Sequence, residues 1–308
     1  MARVSSELRG CDVGRSIDRM KLRLFLGAII CLSILEAQAA DTAAGSEKVP
    51  AFKVEKHGHG SPVILIPGLG CSGEVWKGTV AALEGKHECY VLTLAGFGGQ
   101  PAIKTPLIET ATKELVAYIK EHKVQQPAVI GHSLGGVMAL HLAANHPKEV
   151  GAIIIVDSLP ALGYSRPDAK AEDVKTMADG ISKQMEEATH EEFVANTRQF
   201  LSAMIIGEEG QKKAADWMAA SDQKTVAGCF QWIFMTDLRP ELPKITSKTL
   251  VIAAGMPPGA IPEEICKSQY EGLKGVQMVR DPKSHHFIML DDQEFLNKQI
   301  KGFLDAEK

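Results

Sequence analysis

The sequence predicts an α/β fold: a mostly parallel, doubly wound sheet with an inserted helical cap. Three observations carry that prediction. Short apolar runs alternate with helical patterns along most of the chain, as parallel strands joined by crossover helices require. One run, Ala128-Val129-Ile130, passes through Gly131-His132-Ser133-Leu134-Gly135 directly into a stretch that is apolar nearly all round and ends at Asn145. From about Pro160 to Asp237 the alternation stops, and helical patterns follow one another without a convincing strand.

Taken in order, Phe52 to Glu55 predicts a first strand and His57 to Pro62 a turn. Val63-Ile64-Leu65-Ile66 is a buried strand running into Pro67-Gly68-Leu69-Gly70-Cys71-Ser72. A helix over Glu74–Leu83 and a strand over Cys89–Leu94 follow, then a Gly-rich turn, Ala95 to Gly99. Leu107 to His122 repeats apolar residues at helical spacing (Ile108, Leu115, Ile119). After the Gly131–Gly135 stretch and its helix, Ala152 to Val156 is another buried strand, ending at Asp157. The cap holds helical patterns over Ala171–Met185, Glu191–Ile206 and Gln211–Ala219. Thr249–Ala253 and Val276–Val279 are the last strands, separated by a helix from Pro262 to Gly272. A loop through His285 and His286 leads into a final helix over Asp292–Ala306.

The pentapeptide Gly131 to Gly135 has the form G-x-S-x-G, with a strand before it and a helix after it. A strand that reverses straight into a helix forces its turn residue into a strained conformation, and flanking glycines let the two segments close on each other. The Ser133 hydroxyl is thereby pushed out over the sheet edge, above the positive end of a helix dipole. His132 reads as a turn or packing residue. On these residues the chain resembles the α/β-hydrolase superfamily, in the cap-bearing group of esterases, C–C hydrolases and iminopeptidase-like enzymes, from about Phe52 to the C-terminus. The resemblance implies the α/β-hydrolase fold, with the cap inserted after the sixth strand of the family pattern.

The same resemblance implies a catalytic set. Ser133 is the nucleophile. The base follows the last strand, where the family pattern of a small residue, a histidine and an aromatic selects His286 ahead of Phe287 over the neighbouring His285. The backbone N–H groups of Leu69 and Leu134 form the oxyanion hole, with Pro67 standing where relatives carry a histidine. The chain departs from the pattern at the acid, because the stretch after Thr249–Ala253 offers only apolar residues, glycine and proline before Glu263 and Glu264 open a helix. Some members of the superfamily place the acid one strand earlier, and Asp157 stands there. Asp157 is preferred; Glu263, Glu264, another acid or a Ser–His dyad without an acid remain alternatives.

The N-terminus reads as a targeting segment. Arg19, Lys21 and Arg23 precede an apolar run from Leu22 to Leu35, and Ala37-Gln38-Ala39 supplies small residues for cleavage. The run is short for a bilayer span, and Ile30 before Cys31 argues against a lipoprotein signal. Met20 is an alternative start, and an uncleaved anchor the alternative to cleavage. The expected organisation is a signal peptide over residues 1–39, a first core part over 40–159, a cap over 160–238 and a second core part over 239–308. Cleavage removes six basic and four acidic residues and takes the net charge from −4 to −6. The expected product is a periplasmic or secreted protein without stable membrane insertion. The mature region has no basic cluster suited to nucleic acid. It keeps Cys71, Cys89, Cys229 and Cys266, which either pair in one of three connectivities or stay free and buried.

No cofactor or metal is implied. The expected function is hydrolysis of an ester or related small-molecule acyl substrate through a Ser133–His286–acid triad and a covalent acyl-enzyme. An iminopeptidase-like exopeptidase is the runner-up; it needs carboxylates in the cap, where Glu186, Glu187, Glu191 and Glu192 are available. A non-catalytic small-molecule-binding protein on the same fold is the rival from another class.

Overall fold

Seven strands are found among the described residues of the computed structural model, which are 49–306 except 167 and 257–260. They are β1 (Phe52–Gly58), β2 (Ser61–Ile66), β3 (His87–Leu94), β4 (Ala128–His132), β5 (Ala152–Val156), β6 (Lys248–Ala254) and β7 (Gln277–Asp281). They form one sheet in the order β1-β3-β2-β4-β5-β6-β7. β1 pairs antiparallel with β3, and every other pair is parallel. The signal-peptide reading falls outside the described residues.

The inner strands β2 to β6 are largely apolar because both faces are covered, while the edge strands β1 and β7 are more polar and exposed. Side chains alternate between faces along each strand. Ile64, Ile66, Val129, Ile153 and Ile155 point to one core, beneath α2 (Leu107–Glu121) and α3 (Leu134–Asn145). Val63, Leu65, Ile130, Ile154 and Ile252 point to the other, beneath α1 (Lys77–Leu83) and α10 (Gln293–Asp305). Two short helices complete the core, α8 (Glu263–Gln269) and α9 (Ile288–Asp291).

Between β5 and β6 the chain runs through α4 (Ala171–Glu187), α5 (His190–Met204), α6 (Glu208–Ala219) and α7 (Gln223–Met235). The sequence reading lists no helix over Gln223–Met235. Its start is fixed by Asp222, whose carboxylate accepts the Thr225 N–H at 2.8 Å. The α5 start has a full capping box between Thr189 and Glu192.

These helices are fastened to the core by backbone groups. Ser221, between α6 and α7, accepts the Gly98 N–H at 2.9 Å, and its hydroxyl lies 3.1 Å from the Gly70 carbonyl. The Asp222 N–H donates to the Gly96 carbonyl at 2.7 Å, and the Leu238 N–H to the Pro160 carbonyl at 2.9 Å. The Ile206 N–H, just past α5, donates to the Asp291 carboxylate at 2.9 Å. The four cysteines are free and buried.

Candidate active site

Strand order puts the site where it is. β3 lies on one side of β2 and β4 on the other, so the segments leaving β2 and β4 diverge at their carboxyl ends. Such a switch point opens a crevice at the top of a parallel sheet. Ser133 ends β4, and Leu69 lies in the loop after β2. Asp157 ends β5, and His286 follows β7.

Ser133 has φ 52° and ψ −115°, a conformation that side chains rarely adopt. The surroundings hold it there. Its N–H donates to the Val156 carbonyl at 3.0 Å, and its carbonyl accepts the Gly136 N–H and the Ser158 hydroxyl, both at 2.9 Å. The turn has no room for other residues at its flanks. A Cβ on Gly131 would drive into the Gly135 carbonyl, and one on Gly135 into the Ile66 carbonyl. Leu134 opens α3, so its N–H has no intrahelical acceptor and faces the helix's positive end.

Asp157 is the second strained residue, with φ 43°. Its N–H extends the ladder to the Ile252 carbonyl at 2.8 Å, and its Oδ1 accepts the Ala254 N–H at 2.8 Å. Oδ2 is left to accept from His286 Nδ1 at 2.6 Å. This carboxylate is almost wholly buried, while the imidazole retains 22% of its exposure. A short bond from a buried, doubly satisfied carboxylate fixes the ring orientation and presents Nε2 outward.

Glu263 and Glu264 stand apart from this pair. Both are exposed in the first turn of α8, and Glu263 is ion-paired with Lys267. His285 does not line the cavity that holds Ser133 and His286; its backbone N–H donates to Asp291 at 2.9 Å, and its ring Nδ1 is buried.

His132 has more to do than sequence reasoning assigned it. It is fully buried, with its ring 4.6 Å from that of His286 and 4.7 Å from that of Phe287. Its Nε2 lies 3.0 Å from the His286 carbonyl, which only accepts, so Nε2 carries the proton. Burial, reinforced by the neighbouring His286, holds this imidazole well below the usual histidine range, and it is neutral. His132 therefore braces the backbone of His286 from beneath. Its place inside the pentapeptide was the available signal.

Ser133, His132, Asp157 and His286 line one cavity of about 330 Å³. Its remaining described walls are apolar except for Ser158; they include Leu69, Met204, Met218, Phe230 and Phe234. No lysine, arginine or glutamate is among them. The arrangement suits a neutral, largely apolar substrate presented to a hydroxyl beside an oriented imidazole.

A family model described as the alpha/beta hydrolase fold matches residues 61–293. The chain is an α/β hydrolase. The hydrolase is 23% identical over 256 residues to a pimeloyl-[acyl-carrier protein] methyl ester esterase of Vibrio vulnificus, covering 81% of this chain and 96% of that protein. A similar protein of Aeromonas hydrophila, given the same activity, is 25% identical over 257 residues and is 96% covered, against 80% of this chain. Among solved structures, an esterase from Exiguobacterium antarcticum superposes with a TM-score of 0.73 at 19% identity, covering 82% of the hydrolase and 95% of the esterase. At that identity the superposition speaks for the fold.

Proposed function

We propose that this hydrolase is a serine esterase that cleaves a neutral carboxylic ester through an acyl-enzyme. The observation that carries the reading is the 2.6 Å bond from His286 Nδ1 to the buried Asp157 carboxylate, on the wall of the same cavity as Ser133. Esterase activity in the similar Vibrio and Aeromonas proteins supports it.

The roles follow from the chemistry. A serine hydroxyl needs a base to take its proton during attack. His286 takes it at Nε2, while Asp157 stabilises the imidazolium from Nδ1. Attack places negative charge on the former carbonyl oxygen. The N–H groups of Leu69 and Leu134 receive it, and their donors cost nothing to reorganise. His286 then protonates the leaving alcohol, and the acyl group stays on Ser133. Water deprotonated by His286 releases the acid and restores Ser133.

The exopeptidase reading is less well supported. A substrate amine needs a carboxylate in the cavity, and Glu186, Glu187, Glu191 and Glu192 do not line it. Glu192 is instead engaged with Thr189 in the α5 cap.

Labelling by a fluorophosphonate and hydrolysis of p-nitrophenyl butyrate test the proposal together. The wild type labels and turns over. Ser133→Ala does neither above a residual level, with kcat/KM lower by on the order of 10³ or more and an unchanged circular-dichroism spectrum. Near-wild-type turnover by purified Ser133→Ala, or a wild type that neither labels nor cleaves, overturns the proposal and favours a binding protein.

A further inference from the structure

The reaction cavity is not the end of the space inside the cap. A second cavity of about 290 Å³ lies between α4 and α5. Leu69, Phe200, Met218 and Phe230 belong to the walls of both, so the two adjoin across these four side chains. The inner part of the second chamber is apolar, with Ile181, Met185 and Phe193. At its other side are Gln184 and Asn196, both exposed. Phe200 is itself 53% exposed, an unusual cost for a large aromatic on a helix. Together these residues describe a path that starts at Ser133, passes the four shared apolar side chains and ends at the exposed Gln184 and Asn196.

Two of the shared side chains are held by packing. Phe230 is stacked on Phe234 with ring centroids 4.4 Å apart, which fixes its position. Met218 packs against Gly70, where a Cβ would collide with its sulfur. A thioether is the most adaptable apolar wall available, since it is unbranched and turns about three bonds.

We propose that the second chamber is a binding subsite for one long apolar arm of the ester, whose far end emerges between Gln184 and Asn196. This rests on the esterase reading of Ser133. The walls decide the chemistry of the arm. They offer no charged group to an ionic substituent, while Gln184 and Asn196 accommodate a polar terminus in water. Either side of the ester supplies such an arm, the acid or the alcohol. The two differ only in which chain occupies the path.

Two ester series test the subsite: p-nitrophenyl acetate, butyrate, octanoate and decanoate lengthen the acid arm, and ethyl, butyl, octyl and decyl acetates lengthen the alcohol arm. The expected result is that kcat/KM rises along one series in the wild type. Thr197→Phe fills the second chamber from a residue that lines it alone, and Asn196→Trp obstructs the exposed end of the path. Both leave the shortest esters unchanged and lower kcat/KM for the longest responding ester by about 10- to 100-fold, the scale on which apolar pockets discriminate methylenes. Calorimetric titration with decanoic acid and decanol reads the chamber without catalysis: the wild type binds one of them, and Thr197→Phe weakens that binding about tenfold. A wild type that cleaves short esters, with no rise along either series and no effect of either substitution, overturns the subsite and leaves the Ser133 chemistry standing. A wild type that cleaves no ester overturns the esterase reading, and the titration then decides the chamber by itself. Failure to bind either amphiphile overturns the subsite in that case too.

Discussion

Asp157 carries two demands at once: it accepts from His286 through one oxygen and from the Ala254 N–H through the other. Asp157→Asn preserves its shape but offers His286 an amide in place of a charge. Turnover is expected to fall by up to about 10⁴ with little change in thermal stability. The paired Glu263→Gln/Glu264→Gln variant is expected to keep wild-type turnover, since both side chains are exposed on α8. Steady-state kinetics on the two variants separates the roles; retention of activity by Asp157→Asn and loss by the pair would reverse them. His132 gives a second residue-scale expectation, in stability. Its folded-state proton affinity is depressed by burial, so below the ordinary histidine pKa of 6.5 the unfolded chain binds a proton that the folded chain refuses. Stability is therefore complete above that value and declines as pH falls, by up to about 1.4 kcal/mol per pH unit from this group. His141, lowered by burial as well, adds in the same direction. Urea unfolding between pH 7 and about pH 5 measures the slope, and His132→Gln is expected to remove its share. Ser133 stood out in the sequence because a strand, a tight turn and a helix leave a local pattern, whereas His286 was singled out over His285 only by the register that the family resemblance implies. The choice among Asp157, Glu263 and Glu264 had no such pattern, because reach to an imidazole 129 residues away is a property of the sheet. Bracing of His286 by His132 was not legible for the same reason.

At the level of elements, the sheet was readable and the cap less so. Strands buried on both faces are continuous apolar runs, so β2 through β6 stand out in the chain. β1 extends to Gly58, beyond the Glu55 expected, because His57 and Gly58 pair with Cys89 and Glu88 of β3. α7 lies in a run whose apolar residues serve two purposes: Phe230, Ile233 and Phe234 line the cavity, while Val226 and Cys229 are buried in the core. A helix apolar on more than one face loses the periodicity by which it is recognised. The junction of β4, α3 and the end of β2 is tightly packed. Gly135→Ala pushes a methyl group into the Ile66 carbonyl, which is backbone and cannot swing aside. The expected cost is about 3 kcal/mol or more, with loss of turnover because Ser133 shifts with the turn. Chemical denaturation against wild type measures it; an unchanged midpoint would show that β4 and α3 separate more easily than this packing allows.

For the molecule as a whole, the order of charges, apolar residues and small residues from Arg19 to Ala40 leads us to propose export with cleavage, giving a mature N-terminus at Ala40 or Asp41. Intact mass of protein recovered from the periplasm or medium checks this; retention of Leu22–Leu35 would indicate an anchor. Among the described residues β1 is an edge strand of the sheet, paired antiparallel with β3. Among the described residues no helix is long and apolar enough to cross a membrane.

The free cysteines bear on how such a protein is made. Cys71 lies in the loop after β2, Cys89 in β3, Cys229 in α7 and Cys266 in α8, all buried. Burial pushes the thiols of Cys71 and Cys229 up to about 12 and that of Cys89 to about 11. At neutral pH they are protonated and unreactive for as long as their surroundings stay closed. The unfolded chain has no such protection. In an oxidising compartment, then, every second that folding is delayed exposes four thiols that the finished structure never joins. If the chain is exported as we propose, folding must therefore be quicker than oxidation of these thiols.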